Sequence, residues 1–276
     1  MKKLIYDKEI KLGTASSTKL ETYRFCPLAW KLRHLDHVKS RPSPALVFGR
    51  SIHYLAKKFY SVRYKSDITL TNYWKRYWKE LTDKDDTIQW IDRKKQYWEY
   101  HHAGCEILKK FYNRYSHDDK PDHLEKHFNF IFAGVKLIGS LDRVEKHDGK
   151  IILVDYKTDK FPPVKGSPGF DHSLQFTIYS LACMNLFGVF PHKIYNENLR
   201  DGIRYETVRT DKDYGYLESE IKRISKRINE RDFNPVYGHH CTFCSFESYC
   251  GANPFSTGKK IDPAFQTEMN FSVDTA

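Results

Sequence analysis

The sequence predicts an α/β fold, a mixed central sheet flanked by helices, with a mostly helical N-terminal part. Three observations predict it. Helical spacing of apolar residues dominates the first half, a period-two alternation begins at Phe128, and the unbroken apolar run Ile151-Ile152-Leu153-Val154 reads as a buried central strand. The 276 residues can bury a sizeable core. A composition 40% hydrophobic and 15% aromatic separates the chain from disordered tails.

Thr18-Lys19-Leu20-Glu21 has the form of a capping box that opens a short helix, and Pro27 restarts a helix after Cys26. Residues 51–60 place Ile52, Leu55 and Phe59 on one helical face, and the aromatic-rich, proline-free stretch 86–116 is expected to be helical throughout. Phe128, Phe130 and Phe132 then alternate, Gly134 permits a turn, and Val135, Leu137 and Gly139 continue the alternation. A second turn at His147-Asp148-Gly149 leads into the buried strand. Residues 160–170, rich in proline and glycine, form a loop. A helix over 172–187 ends at Gly188, and a polar-faced strand near 203–209 and a charged helix near 213–231 follow. The expected organisation is a helical part over 1–120 carrying Cys26 and His53, an α/β core over 121–235, a cysteine segment over 236–252 and a tail over 253–276, all in one compact unit.

Lys and Arg number 46 against 35 Asp and Glu, a formal charge of +11. Such an excess points to a polyanionic partner, nucleic acid before an anionic membrane surface. Met1-Lys2-Lys3-Leu4-Ile5-Tyr6-Asp7 lacks the apolar run of a signal peptide, and no stretch approaches a membrane span. The expected location is the cytoplasm, where six cysteines suggest metal or cluster binding before disulfides.

Two acids stand out. Asp142 lies in Gly139-Ser140-Leu141-Asp142-Arg143, and Asp155 ends the buried strand in Val154-Asp155-Tyr156-Lys157-Thr158. Two strands joined by a tight turn would set these carboxylates side by side. Two carboxylates and a backbone carbonyl, that of Tyr156, suit a hard cation such as Mg²⁺ or Mn²⁺. Such an ion polarises a phosphoryl oxygen and lowers the pKa of a bound water. Lys157, two residues beyond Asp155, emerges on the same side of the strand and can position water and offset phosphate charge. An isolated D-x-K pattern is usually a surface ion pair, but an acid directly after four apolar residues is costly without compensation.

Gly139-x-x-Asp142 followed by Asp155-x-Lys157 resembles the core of the PD-(D/E)XK nucleases in their RecB-like branch. Gly49-Arg50-Ser51-Ile52-His53 resembles that branch's upstream helix motif, whose histidine is a further metal ligand. Gln175-Phe176-Thr177-Ile178-Tyr179 resembles its downstream Q-x-x-x-Y helix, with Gln175 and Tyr179 on one face. Glu125, placed just ahead of the first strand, matches a weaker family acid and is not carried into the site. The resemblance implies a restriction-endonuclease-like core. It assigns His53, Asp142, Asp155 and the Tyr156 carbonyl to the metal, and Lys157, Gln175 and Tyr179 to catalysis or substrate contact.

Cys241-x₂-Cys244-x₅-Cys250 supplies three thiolates, one short of a closed zinc site or cubane cluster. The resemblance supplies the fourth. Cys26, in Leu20-Glu21-Thr22-Tyr23-Arg24-Phe25-Cys26-Pro27, is similar to the family's opening segment, and relatives of the AddB and CRISPR-associated exonuclease type carry a [4Fe–4S] cluster on this arrangement. The cluster would staple the two ends of the chain, with Zn²⁺ as the alternative occupant. Cys105 and Cys183, on helices among apolar neighbours, read as core thiols.

The reading covers residues 15 to 250 and implies a metal-dependent deoxyribonuclease, an exonuclease acting on DNA ends or single strands. The alternative is a catalytically silent or partner-dependent nucleic-acid-binding subunit, working with a helicase or another nucleoprotein partner in repair, recombination or CRISPR adaptation.

Overall fold

The computed structural model describes residues 10–62, 66–117, 120–161, 165–238, 240–241 and 244–250. The N-terminal heptapeptide, part of the 160–170 loop and the 253–276 tail lie outside them. The described residues contain β1 (Thr14–Ala15), α1 (Ser17–Phe25), α2 (Pro27–His34), α3 (Pro44–Val62), α4 (Asp67–Lys84), α5 (Arg93–Tyr115), β2 (His123–Phe132), β3 (Val135–His147), β4 (Lys150–Lys157), α6 (Pro168–Asp171), α7 (Leu174–Phe187), β5 (Lys193–Asn198), β6 (Arg204–Thr207) and α8 (Asp211–Asn229). None of these helices is long and apolar enough to cross a membrane.

The chain divides into two compact units, one of Leu12–Thr18 and Pro42–Arg223, the other of Met1–Lys11, Lys19–Arg41 and Ile224–Ala276. The larger unit holds a six-stranded mixed sheet, consistent with a restriction-endonuclease-like α/β fold. The antiparallel hairpins β2–β3 and β3–β4 close through Ala133-Gly134 and Asp148-Gly149. All four turn residues have positive φ, the signature of tight hairpin turns that match strand twist. β3 carries β2 along one edge, and on the other edge β1 pairs at Lys136–Leu137 and β4 at Arg143–His147. α7 returns the chain so that β5 runs parallel to β4, and β6 closes the far edge antiparallel to β5. Gly139 faces Phe128 across β2–β3, where a Cβ would lie 2.6 Å from the Phe128 ring. Only glycine lets that ring lie over the sheet.

On one face of the sheet, Val154, Tyr156 and Leu199 join a core built from α3, α4 and α5, with Phe48, Ile52, Leu55, Trp74 and Trp78 almost fully buried. α7 packs against β2, with Phe128 and Tyr179 in edge-to-face contact at 6.1 Å.

Several boundaries differ from expectation. The 86–116 helix begins only at Arg93, where Asp92 caps it by accepting the Lys95 N–H. α4 precedes it, capped by Ser66 accepting the Thr69 N–H. α1 begins at Ser17, so Thr18 lies inside the first turn instead of capping it. β5 was not expected from its polar sequence, and β1 is too short to show a pattern.

In the smaller unit Trp30 stacks on Phe233 with centroids 6.0 Å apart, and the Tyr23 hydroxyl donates to the Asp232 carbonyl at 2.6 Å. These contacts tie α1 and α2 to the chain that follows α8.

Candidate active site

The site is built on one rung of the sheet. The β3–β4 register runs from His147↔Lys150 to Arg143↔Val154 and stops there. One further step along that register sets Asp142 opposite Asp155. On the other edge of β3, Leu124↔Arg143 and Lys126↔Leu141 bracket Glu125 opposite Asp142. Glu125 itself has φ of 50°, a left-handed conformation uncommon for a non-glycine residue and concentrated at functional sites. Three acids therefore share a rung across three neighbouring strands. Glu125 lies within β2, not ahead of it as the sequence suggests.

His53 reaches this rung from α3. Its Nδ1 lies 3.4 Å from Asp142 Oδ2, which also accepts the Tyr156 N–H at 3.0 Å. Ligand atoms of His53, Glu125 and Asp142 all lie within 4.8 Å of one another. Ser140 Oγ donates to Glu125 Oε2 at 3.1 Å, orienting that carboxylate. Asp155, almost fully buried, stands beside Lys157, whose Nζ is 2.8 Å from Oδ2. Lys157 donates its hydrogen bond to Gln175 Oε1 at 2.8 Å. Gln175 Nε2 spans Asp155 Oδ1 at 3.2 Å and the Tyr179 hydroxyl at 2.9 Å. The Lys157 ammonium thus pairs with Asp155 Oδ2 while Gln175 holds Oδ1, so both oxygens of this buried carboxylate are engaged.

Electrostatics follow from burial. Burial first, then Asp155, pushes the Asp142 carboxyl up to about 7, with His53 and the Tyr156 N–H opposing. Burial would lower the Lys157 ammonium, but the carboxylates of Asp155, Asp142 and Asp159 together outweigh it and hold the group above its ordinary range. Burial, with Asp155 and Asp142, holds the Tyr179 hydroxyl well above its ordinary range, so it stays neutral. The buried Asp142 and Asp155, the half-buried Glu125, the His53 imidazole and a backbone carbonyl form an oxygen-rich donor set that a divalent cation fits.

A model of the PD-(D/E)XK nuclease superfamily matches residues 14–251. The chain belongs to the PD-(D/E)XK nuclease superfamily. Gene 69 protein of Mycobacterium phage D29 is 23% identical over 272 residues, covering 88% of this chain and 98% of the phage protein. Gene 69 protein of Mycobacterium phage L5 is 24% identical over 293 residues, with the same two coverages. A candidate exonuclease from Eubacterium rectale, 12% identical, superimposes with a TM-score of 0.52 over 88% of this chain and 93% of its own, a likeness of fold.

Membership in the PD-(D/E)XK superfamily makes the chain a nuclease, a hydrolase acting on nucleic acid. The structure brings His53, Asp142, Asp155, Tyr156, Lys157, Gln175 and Tyr179 together in the larger unit and adds Glu125, which sequence reasoning left out. The signal for Glu125 is register: counting back along β2 from the Gly134 turn places it opposite Asp142. In the smaller unit, Cys26 occupies the N-cap position of α2 and lines one cavity with Cys241, Cys244 and Cys250. The rest of the lining is largely apolar, including Leu28, Leu32, Val236 and Phe246. Burial, aided by the other three sulfurs, raises the Cys244 thiol, while the Phe246 N–H donates to its Sγ at 3.4 Å. Cys183 is buried in α7 and pushed up to about 12 by burial, and Cys105 packs half-buried against the α3–α5 core.

Proposed function

We propose that this protein is a metal-dependent deoxyribonuclease of the RecB-like branch, hydrolysing phosphodiesters at DNA ends or in single strands. The observation that carries the reading is the shared rung of Glu125, Asp142 and Asp155, with the Lys157 ammonium 2.8 Å from Asp155 Oδ2. His53, Asp142, Asp155 and Glu125 would hold Mg²⁺ or Mn²⁺. The Tyr156 carbonyl joins them, because in an extended strand a residue's carbonyl leaves on the same edge as its N–H, here the edge facing Asp142. When bound, the cation supplies Lewis acidity to the scissile phosphate and acidifies an attacking water.

Lys157 positions that water and faces the charge that accumulates on the phosphate. Gln175 bonds to both Lys157 and Asp155 and so fixes them relative to one another, and Tyr179 fixes Gln175. Because these groups are aligned before substrate arrives, little reorganisation is needed in the transition state.

The four-cysteine cavity is proposed to hold a [4Fe–4S] cluster, with Zn²⁺ as the alternative. Four sulfurs in an apolar pocket with an N–H donated to one of them suit either occupant, which would staple residue 26 to the cysteines at 241, 244 and 250. A helicase or other nucleoprotein partner remains part of the proposal. The test is cleavage of end-labelled single- and double-stranded DNA by the purified chain with Mg²⁺, with Mn²⁺ and with chelator. Cleavage that requires metal supports the reading, and no cleavage in either metal overturns it.

A further inference from the structure

Beside the metal centre, α3 turns a second set of side chains outward. Tyr54 follows His53 directly and is 43% exposed. Its ring stacks on Tyr77 of α4 with centroids 5.4 Å apart and planes at 21°, and Tyr77 stacks on Tyr73 at 6.3 Å and 14°. Tyr73 and Tyr77 are packed against the α3–α5 core. Lys58 lies over the rings of Tyr54 and Tyr73 and donates to both hydroxyls, at 3.3 and 2.7 Å. Three near-parallel rings are thus locked from below and held by a cation, with the most exposed ring at the end next to His53.

Further along the same helix lies an open cleft. His53, Lys57 and Ser61 are spaced four apart and share a helix face. Lys57 and Ser61 form one wall, and Lys120 to His127, including Glu125 of the metal centre, form the other. Its cations are Lys57, Lys120 and Lys126, and His123 and His127 also line it. Its acids are Asp122, which accepts the Lys146 N–H, and Glu125, engaged by Ser140. Among the described residues Lys57, Lys120 and Lys126 form no ion pair.

An aromatic stack ending at the surface and a lysine-walled cleft running from the same catalytic rung are the two recognition elements of a single strand: a π-face for an unpaired base and cations for the flanking phosphates. Duplex DNA offers the cations its phosphates but offers Tyr54 no free base face. Resting on the proposed nuclease reading and naming its substrate more closely, we infer that Tyr54 is the platform for an unpaired base of a single-stranded substrate and that Lys57 and Lys126 take the adjoining phosphates.

The test separates binding from cutting. Fluorescence anisotropy of the intact protein with a labelled single-stranded oligonucleotide, and with the same oligonucleotide in a blunt duplex, is measured in chelator so that no cleavage occurs. Tyr54→Ala should weaken single-strand binding roughly tenfold or more, Tyr54→Phe should restore it, and duplex binding should not change. Lys57→Ala with Lys126→Ala should weaken both substrates and flatten the salt dependence on single strands by about 0.7 per lost contact. Single-strand affinity of Tyr54→Ala equal to wild type, or an equal loss on both substrates, overturns the inference. Tyr54-dependent binding by a protein that cuts nothing in Mg²⁺ or Mn²⁺ would retain the platform and overturn only the nuclease reading.

Discussion

Gln175 Nε2 lies 3.2 Å from Asp155 Oδ1 while the same amide's Oε1 accepts from Lys157 at 2.8 Å. One neutral side chain therefore braces both members of the D-x-K pair. Gln175→Ala removes hydrogen bonds to two charged groups, each contributing about 1.5–3 kcal/mol. The expected outcome is a roughly tenfold to hundredfold fall in kcat under single-turnover conditions, with KM for DNA little changed. A loss confined to KM would assign Gln175 to substrate binding alone.

The His53–Glu125–Asp142 grouping predicts a metal phenotype. His53→Ala and Glu125→Ala should each raise the Mn²⁺ concentration for half-maximal cleavage by at least about tenfold, with activity recovering at high Mn²⁺. DNA binding in chelator should be retained. A wild-type metal titration for Glu125→Ala would make that acid a strand residue with no part in the site.

The cysteine cavity predicts a colour. Anaerobically purified protein should be brown, with broad absorbance near ~400 nm and about four irons per chain. Serine at Cys26 should bleach it as fully as serine at Cys241, Cys244 or Cys250, whereas serine at Cys105 or Cys183 should not. Losing the cluster should also lower thermal stability and expose the C-terminal segment to protease. Colourless protein with one zinc per chain would replace the occupant and keep the staple.

His34 predicts an acid-sensitive contribution to stability. Its ring lies against Trp30 at 5.3 Å, and among the described residues its buried Nε2 has no hydrogen-bond partner. Burial first, then Lys19, Arg33 and His37, lowers it from the usual 6.5 to about 4. The folded state thus favours the neutral ring. Its contribution is complete above pH 6.5 and is lost as pH falls from there toward about 4, because the unfolded chain binds the proton more readily. Thermal melts of His34→Phe across that window should decline less steeply than those of the wild type. Parallel slopes would contradict the assignment.

Much of the core was legible because its pattern is local. The alternation at Phe128–Phe132 and the run Ile151–Val154 became β2 and β4, and the turn glycines became tight hairpins. Asp142 and Asp155 could be paired by counting along that hairpin. β5 was hidden because Asn196-Glu197-Asn198 reads as surface, yet all three are buried. Glu197 tolerates burial because Tyr115, 82 residues upstream, donates to it at 2.5 Å and Arg204, 7 downstream, at 2.7 Å, with the Arg114 guanidinium 3.4 Å away. α4 carries Leu70, Trp74 and Trp78 at four-residue spacing, a pattern that was present and passed over. His53, Gln175 and Tyr179 needed the family resemblance, since nothing local marks a helical histidine or glutamine as a site residue. Glu125 depended on the register of a strand whose start was placed too late.

The central claim is that the Asp155–Lys157 pair serves bond cleavage and not the fold. The most direct test is single-turnover cleavage of an end-labelled single-stranded oligonucleotide in Mg²⁺ by wild type, Asp155→Ala and Lys157→Ala, with circular dichroism confirming that each variant is folded. Both variants should lose about 10²-fold or more in rate, as when a preorganised transition-state contact is removed. Near-wild-type cleavage by either folded variant would contradict the account.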